Sequence, residues 1–273
     1  MNAPGIGPTG ELCLRVSAAT LVRVLFPHPE NGQTMLALER KGTVHPQEGG
    51  LVTVTAQPFG GSSRIRRPDA LLAQIAGFHF DSERARSEQD FRILIRPRDW
   101  DTVRQFCLQQ FRAGENAFVE PDPVRELVEE FTDGLSTFLS PDQYRLRTLG
   151  ILVENQPTAT DNIYAAGLPS HRIYSLFEAE LLDPALAVLI LAKSQSIKDQ
   201  ELEWLALEDY RRGGKGRSNS VLALPLEKIT EAYRALTPEQ MVEPLQLEGH
   251  VLSPHVPAVL DGVSLPNYER VEK

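Results

Sequence analysis

The sequence predicts an α/β protein of the α+β kind, a mixed sheet flanked by helices, and three observations predict it. Alternation of apolar and polar residues marks strands both early and late in the chain. Capped amphipathic helices lie between and after those strands. With 273 residues and 41% hydrophobic content, the chain can bury one large core or carry a single domain with sizeable insertions.

Taken in order, residues 1–10 are rich in Gly and Pro and are expected to be loose. Residues 18–26 and 34–39 read as strands joined by a turn at Asn31-Gly32, a plausible hairpin. A third strand, 50–57, ends in Pro58-Phe59-Gly60-Gly61. A helix is expected at 68–76, a charged stretch at 81–90 and a strand at 91–95. The helix at 99–112 carries Val103, Phe106, Cys107 and Phe111 at helical spacing.

In 120–135, Asp122 suits an N-cap, Pro123 the first helical position and Gly134 the left-handed position past the end. Glu126, Glu129 and Glu130 then share one face, while Val124, Leu127, Val128 and Phe131 supply the buried side. Residues 144–154 and 172–182 are strands by alternation, with Tyr174 and Phe177 on opposite faces. A helix at 225–236 is stopped by Thr237-Pro238, and residues 246–273, with three prolines and little periodicity, read as an extended tail.

Composition excludes several classes. A formal charge of −9 argues against a general nucleic-acid coat protein while leaving room for a local basic site. The longest apolar run, 185–192, is too short to cross a bilayer, and residues 1–10 show no signal-peptide pattern, so a cytoplasmic protein without a membrane partner is expected. Cys13 and Cys107 do not make a disulfide framework. The six histidines form no zinc-type pair, and no G-x-S-x-G elbow is present.

Chemistry concentrates on the three glutamates. Like charges at helical spacing repel by a few tenths of a kcal/mol per pair, a conflict that a hard divalent cation with oxygen ligands removes. An acidic run taken alone is more often a solvated face. Two basic segments accompany it. Arg64, Arg66 and Arg67 follow the Gly-Gly turn, and 210–220 interleaves Gly213, Gly214 and Gly216 with Arg211, Arg212, Lys215 and Arg217. The glycines there leave backbone N–H groups available to an anion, although the Walker spacing is absent.

The segment Arg125-Glu126-Leu127-Val128-Glu129-Glu130 resembles the core of the Nudix box, G-x5-E-x7-R-E-U-x-E-E-x-G-U, at every defined position of R-E-U-x-E-E. The outer positions depart from it: Ala117 and Phe111 stand at the family's first Glu and Gly, with Gly114 and Glu115 nearby, and Thr132 stands at the later Gly. Two strands, a third strand and a Gly-Gly turn before the box are also similar to the start of a Nudix domain, here with 62–118 inserted between turn and box.

The resemblance implies a Nudix-like α/β/α sandwich over 11–245, with 62–118 as a lid or subdomain, or as surface elaboration. It implies Mg²⁺ or Mn²⁺ held by Glu126, Glu129 and Glu130 with a backbone carbonyl of Gly60 or Gly61. Arg125 would orient the carboxylates, Glu201 or Glu203, on a loop at this stage of the fold, would take a proton from water, and Arg64, Lys215 and Arg217 would hold phosphates. The implied activity is hydrolysis of a phosphoanhydride in a small nucleoside diphosphate linked to another moiety, of the nucleotide-sugar, ADP-ribose or dinucleotide type. A homodimer fits the family, and nucleic acid is not the expected substrate. The alternative, prompted by the degenerate box, is a catalytically silent nucleotide-binding or regulatory module of the same fold.

Overall fold

The computed structural model describes residues 13–46, 49–74, 77–113, 118–160 and 165–272. The expectations for residues 1–10, for Ala76 and for Gly114, Glu115 and Ala117 lie outside these. In chain order the first half comprises β1 (Leu14–Pro27), β2 (Thr34–His45), β3 (Leu51–Gln57), β4 (Phe59–Ser62), β5 (Arg64–Ile65), α1 (Pro68–Gln74), β6 (His79–Phe80), α2 (Glu83–Glu88), β7 (Arg92–Ile95), α3 (Trp100–Ala113), β8 (Val119–Glu120) and α4 (Pro123–Leu135). The second half adds β9 (Tyr144–Glu154), β10 (Thr158–Ala159), β11 (Pro169–Leu181), α5 (Pro184–Ser196), α6 (Asp199–Arg211), β12 (Arg217–Pro225) and α7 (Leu226–Arg234). It closes with β13 (Leu245–Leu247), β14 (His250–Leu252) and β15 (Tyr268–Val271).

The long strand β1 is the axis of a curled mixed sheet. One of its edges runs parallel to β11 from Arg15↔Ser170 to Leu25↔Glu180. The other edge is shared end to end by three antiparallel partners: β7 at residues 14–17, β4 at 19–22 and β2 at 24–27. The hairpin expected around Asn31-Gly32 forms, with Val24 opposite Ala37. Beyond β11 lie β9 and then β15, while β2 carries β3 on one side and β12 on the other.

Strand alternation sorts the residues of β1 onto two faces. On one face Leu14, Val16 and Ala18 join a cluster with Phe106, Cys107 and Phe111 of α3, and Val22, Val24 and Phe26 join another with Leu127 and Phe131 of α4 and Ile190 of α5. Thr20, between them in register, is also buried. The opposite face is covered by α6, α7 and the C-terminal residues. Tyr174 and Phe177 go to opposite faces as expected, and both are buried in core clusters.

Two segments behave differently from their sequence reading. Residues 62–118, expected as a lid or surface subdomain, extend the sheet instead: β7 pairs with β1 and α3 covers the same face. The stretch 246–273, read as an extended tail, lies on the domain and contributes strands to it: β15 pairs with β9, and Ala258 and Val259 are buried against Leu21 and Leu176. Short strands and 3₁₀ turns carry too little periodicity to show in a pattern search. None of the helices among the described residues is long and apolar enough to cross a membrane.

Candidate acidic site on helix α4

Helix α4 begins as the sequence dictates. The Asp122 side chain accepts from the Arg125 backbone N–H at 2.9 Å, and Pro123 occupies the first turn, where its missing N–H is not needed. Its end differs. The helix continues through Gly134, and Ser136, at φ 53°, takes the left-handed cap instead. Gly134 is buried inside the helix against β12, where a Cβ would make ordinary contact with the Ser220 backbone at 3.4 Å. Leu127 and Phe131 are fully buried, while Val124 is largely exposed.

The helix crosses the sheet, and its acidic side meets β4 and then β2. Arg125 Nη2 donates to the Ser62 carbonyl at 3.3 Å across 63 positions of sequence. Gly60 and Gly61, expected in a turn, lie in strand β4 paired with β1, and Glu126 approaches so closely that a Cβ on Gly61 would stand 2.4 Å from its Oε2. Glu130 reaches the carboxyl of Glu39 on β2. The acids thus occupy the seam between the two apolar clusters of this face.

Burial controls their charge. Glu126, only 4% exposed, is pushed up to about 7 by desolvation, with Arg125 opposing and Glu129 and Asp90 adding to the rise. Desolvation and then the hydrogen bond with Glu39 push Glu130 up to about 9. Burial would raise Glu39 too, but the hydrogen bond from Glu130 and the charge of Lys41, whose Nζ stands 2.7 Å from Glu39 Oε1, bring it below its ordinary value. The contact thus moves the two carboxyls in opposite directions, Glu130 up and Glu39 down. Gln57 Nε2 donates to Glu39 Oε2 at 2.9 Å and completes that wall.

Arg125 holds the outer carboxylates. Its Nη2 stands 2.5 Å from Glu126 Oε1, off the hydrogen-bonding angle, and its Nη1 stands 3.1 Å from Glu129 Oε2. Glu129 is half exposed. Buried Glu130 Oε2, Ser63 Oγ and Thr20 Oγ1 have no hydrogen-bond partner among the described residues. Such a collection of desolvated oxygens is the donor chemistry of a hard cation. Among the described residues no three acidic, His or Cys side chains are already converged on a metal position. The donor set therefore suits Mg²⁺ or Mn²⁺ in kind, and loading it calls for rotation of side chains such as Glu129.

The other sequence candidates are placed unevenly. Arg64 is exposed on β5 beside Asp90 and has no ion pair among the described residues, whereas Arg66 pairs with Glu120 and Arg67 with Asp69. Lys215 reaches the same rim: burial would raise Glu88 at the end of α2, but Arg84, Lys215 and Arg92 hold it low. Arg217 opens β12 and is exposed. The glycine loop does cradle an anion through its amides, but that anion is the chain's own Asp209, which accepts from Gly216 N at 2.8 Å and Arg217 N at 3.3 Å.

Glu201 and Glu203 require correction. They lie in α6, not on a loop, and α6 packs through Leu202 and Ser218 on the sheet face that carries Arg40, whose charge environment includes Glu201. Arg40 and Glu39 are consecutive on β2 and so point to opposite faces. Neither α6 acid reaches the Glu126 and Glu130 cluster. The carboxylate that does, Glu39, was missed. Its signal was a charged residue at the alternating, core-facing position after Met35 and Ala37. Compared with protein-family models, with curated proteins and with solved structures, the chain matches none.

Proposed function

We propose that the protein is a divalent-metal-dependent hydrolase of the Nudix type, cleaving the phosphoanhydride of a nucleoside diphosphate linked to another moiety. The observation that carries this reading is the contact of Glu126 with Gly61. Box helix and Gly-Gly pair are far apart in the chain, and their meeting at a separation that only glycine permits is what a shared metal site asks of them.

In this reading Glu126, Glu129 and Glu130, with a backbone carbonyl of Gly60 or Gly61, hold Mg²⁺ or Mn²⁺. The ion, when bound, lowers the pKa of a water and screens phosphate oxygens. Arg125 fixes the Glu126 and Glu129 carboxylates, and Glu39, hydrogen-bonded with Glu130, holds the Glu130 carboxyl in place. Arg64 and Lys215, on the rim, supply bidentate and point-charge contacts to the diphosphate. Arg217, exposed at the start of β12 two residues after Lys215, is the third candidate for a phosphate contact.

A second reading, the catalytically silent nucleotide-binding module, draws on one observation: no three of these side chains are already converged for a metal among the described residues. One experiment separates the two. Nucleotide sugars, ADP-ribose and dinucleoside polyphosphates are incubated with Mg²⁺ or Mn²⁺ and the wild type, Glu126→Gln or Glu129→Gln. Metal-dependent product release that falls about 100-fold or more in the variants is expected. Nucleotide binding without turnover in all three proteins would favour the silent module.

A further inference from the structure

Across the sheet from the acids lies a cavity of about 430 Å³ lined by Arg40, Ser194, Gln195, Lys198, Asp199 and His250, among others. Arg40 is 1% exposed. Its Nη2 donates to the Ile197 carbonyl at 2.6 Å, and its Nη1 meets Asp199 Oδ1 at 3.3 Å, longer than a well-made charge-assisted bond of about 2.8 Å. Its Nε, fully buried, has no acceptor among the described residues. The edge formed by Nε and the second N–H of Nη2 is the fork by which a guanidinium grips two oxygens of one anion.

Other features of the cavity agree with that chemistry. Lys198 occupies the N-cap of α6, a 13-residue helix, and brings no side-chain oxygen to it; Glu201 N donates to the Lys198 carbonyl at 3.1 Å, while the amides of Asp199 and Gln200 have no acceptor among the described residues and are open to an external one. His250 Nδ1 is buried without a hydrogen bond, 3.8 Å from Asp199 Oδ2. Asp199 offsets one of the two fixed positive charges of Arg40 and Lys198, and Glu248, near His250, is paired with Lys228, so the balance suits a guest of no more than one negative charge.

We propose that this cavity binds a small oxyanion, a carboxylate or the monoanion of phosphate, held bidentately by Arg40 and by the open N-terminus of α6. The site is separate from the acidic cluster and does not depend on the hydrolase reading.

Full-length protein without divalent metal is titrated with inorganic phosphate at pH 6 and, separately, with acetate, following heat and ³¹P line width. Wild type, Arg40→Gln, Lys198→Gln, His250→Gln and Glu130→Gln are compared. Saturable binding that weakens about tenfold or more in Arg40→Gln, and by a few-fold in the exposed Lys198→Gln and in His250→Gln, while Glu130→Gln is unaffected, supports the site. Preference between phosphate and acetate names the source. Where Arg40→Gln does not fold, the Lys198 and His250 variants decide. Absence of binding to wild type, equal binding in all variants, or loss only in Glu130→Gln overturns the proposal.

Discussion

Replacing Glu130 with Gln should make the metal-free protein more stable while disabling it. In the native state Glu130 keeps its proton up to about 9, because of desolvation and the shared hydrogen bond with Glu39, whereas in the unfolded chain it ionises near 4.5. A carboxyl whose native value is raised contributes full stability below the unfolded value and loses it progressively as pH rises toward the native one. Each pH unit in that window costs about 1.4 kcal/mol, so at pH 7 the upper bound is about 3 kcal/mol. Partial exposure of Glu130 and the compensating low value of Glu39 reduce this to ~1–2 kcal/mol. Glutamine is nearly isosteric and its amide can still donate to Glu39, so the penalty disappears without a cavity. Urea unfolding from pH 5 to 9 in chelator is the assay. Wild type should weaken steadily with rising pH and the variant much less, the variant leading at pH 7 by a few °C in melting midpoint. Added Mn²⁺ should stabilise wild type, by about 2.7 kcal/mol at a hundredfold excess over its Kd, and not the variant. A variant less stable than wild type at pH 7, or a wild type that gains stability between pH 5 and 9, would refute the reasoning.

Gly61→Ala should push the Glu126 carboxylate aside, since the new Cβ meets Oε2 at 2.4 Å and Cδ at 2.9 Å. A loss of ~1–3 kcal/mol in urea unfolding is expected, together with weaker Mn²⁺ binding. Mn²⁺ binding near pH 7.5 should release about one proton per ion, mostly from Glu130, read as a buffer-dependent heat in titration calorimetry. Asp209→Ala removes the acceptor of the Gly216 and Arg217 amides and should accelerate hydrogen exchange of those amides while costing ~1 kcal/mol. Phe131→Ala, at a fully buried position, should cost ~3–5 kcal/mol and unfold the protein at lower urea.

Legibility in the sequence followed the range of the interaction. The start of α4 was readable because Asp122 and Pro123 act on their own neighbours. Its end was not, because the left-handed cap falls on Ser136, a residue without glycine's local preference for that conformation. Strands β1, β2, β3, β9 and β11 showed their alternation, although β1 and β2 extend several residues beyond the expected limits. Of the site, the α4 acids and the Gly-Gly pair were visible, and their proximity was a hypothesis that sequence spacing alone argued against. Glu39 went unread because its signal was a single charged residue at the core-facing position after Met35 and Ala37, which names no partner by itself. Glu201 was misplaced because a loop was assumed where Asp199 in fact opens a helix. The Asp209 carboxylate that fills the glycine loop was likewise invisible, being seven positions from the amide it accepts.

The arrangement around β1 has a consequence for how the chain reaches this state. Its antiparallel partners emerge soon after it, but the strand that runs parallel to it lies far downstream: the buried Arg23 to Glu178 pair spans 155 positions. At a synthesis rate of roughly 5–20 residues per second, that edge of β1 waits on the order of ten to thirty seconds for β11. Until then the guanidinium of Arg23, and that of Arg15 on the same face, border an open apolar edge, and such charges discourage the strand from pairing with other chains. Late capture of β11 also makes folding slow for the chain's size, since loop closure precedes the contacts that reward it.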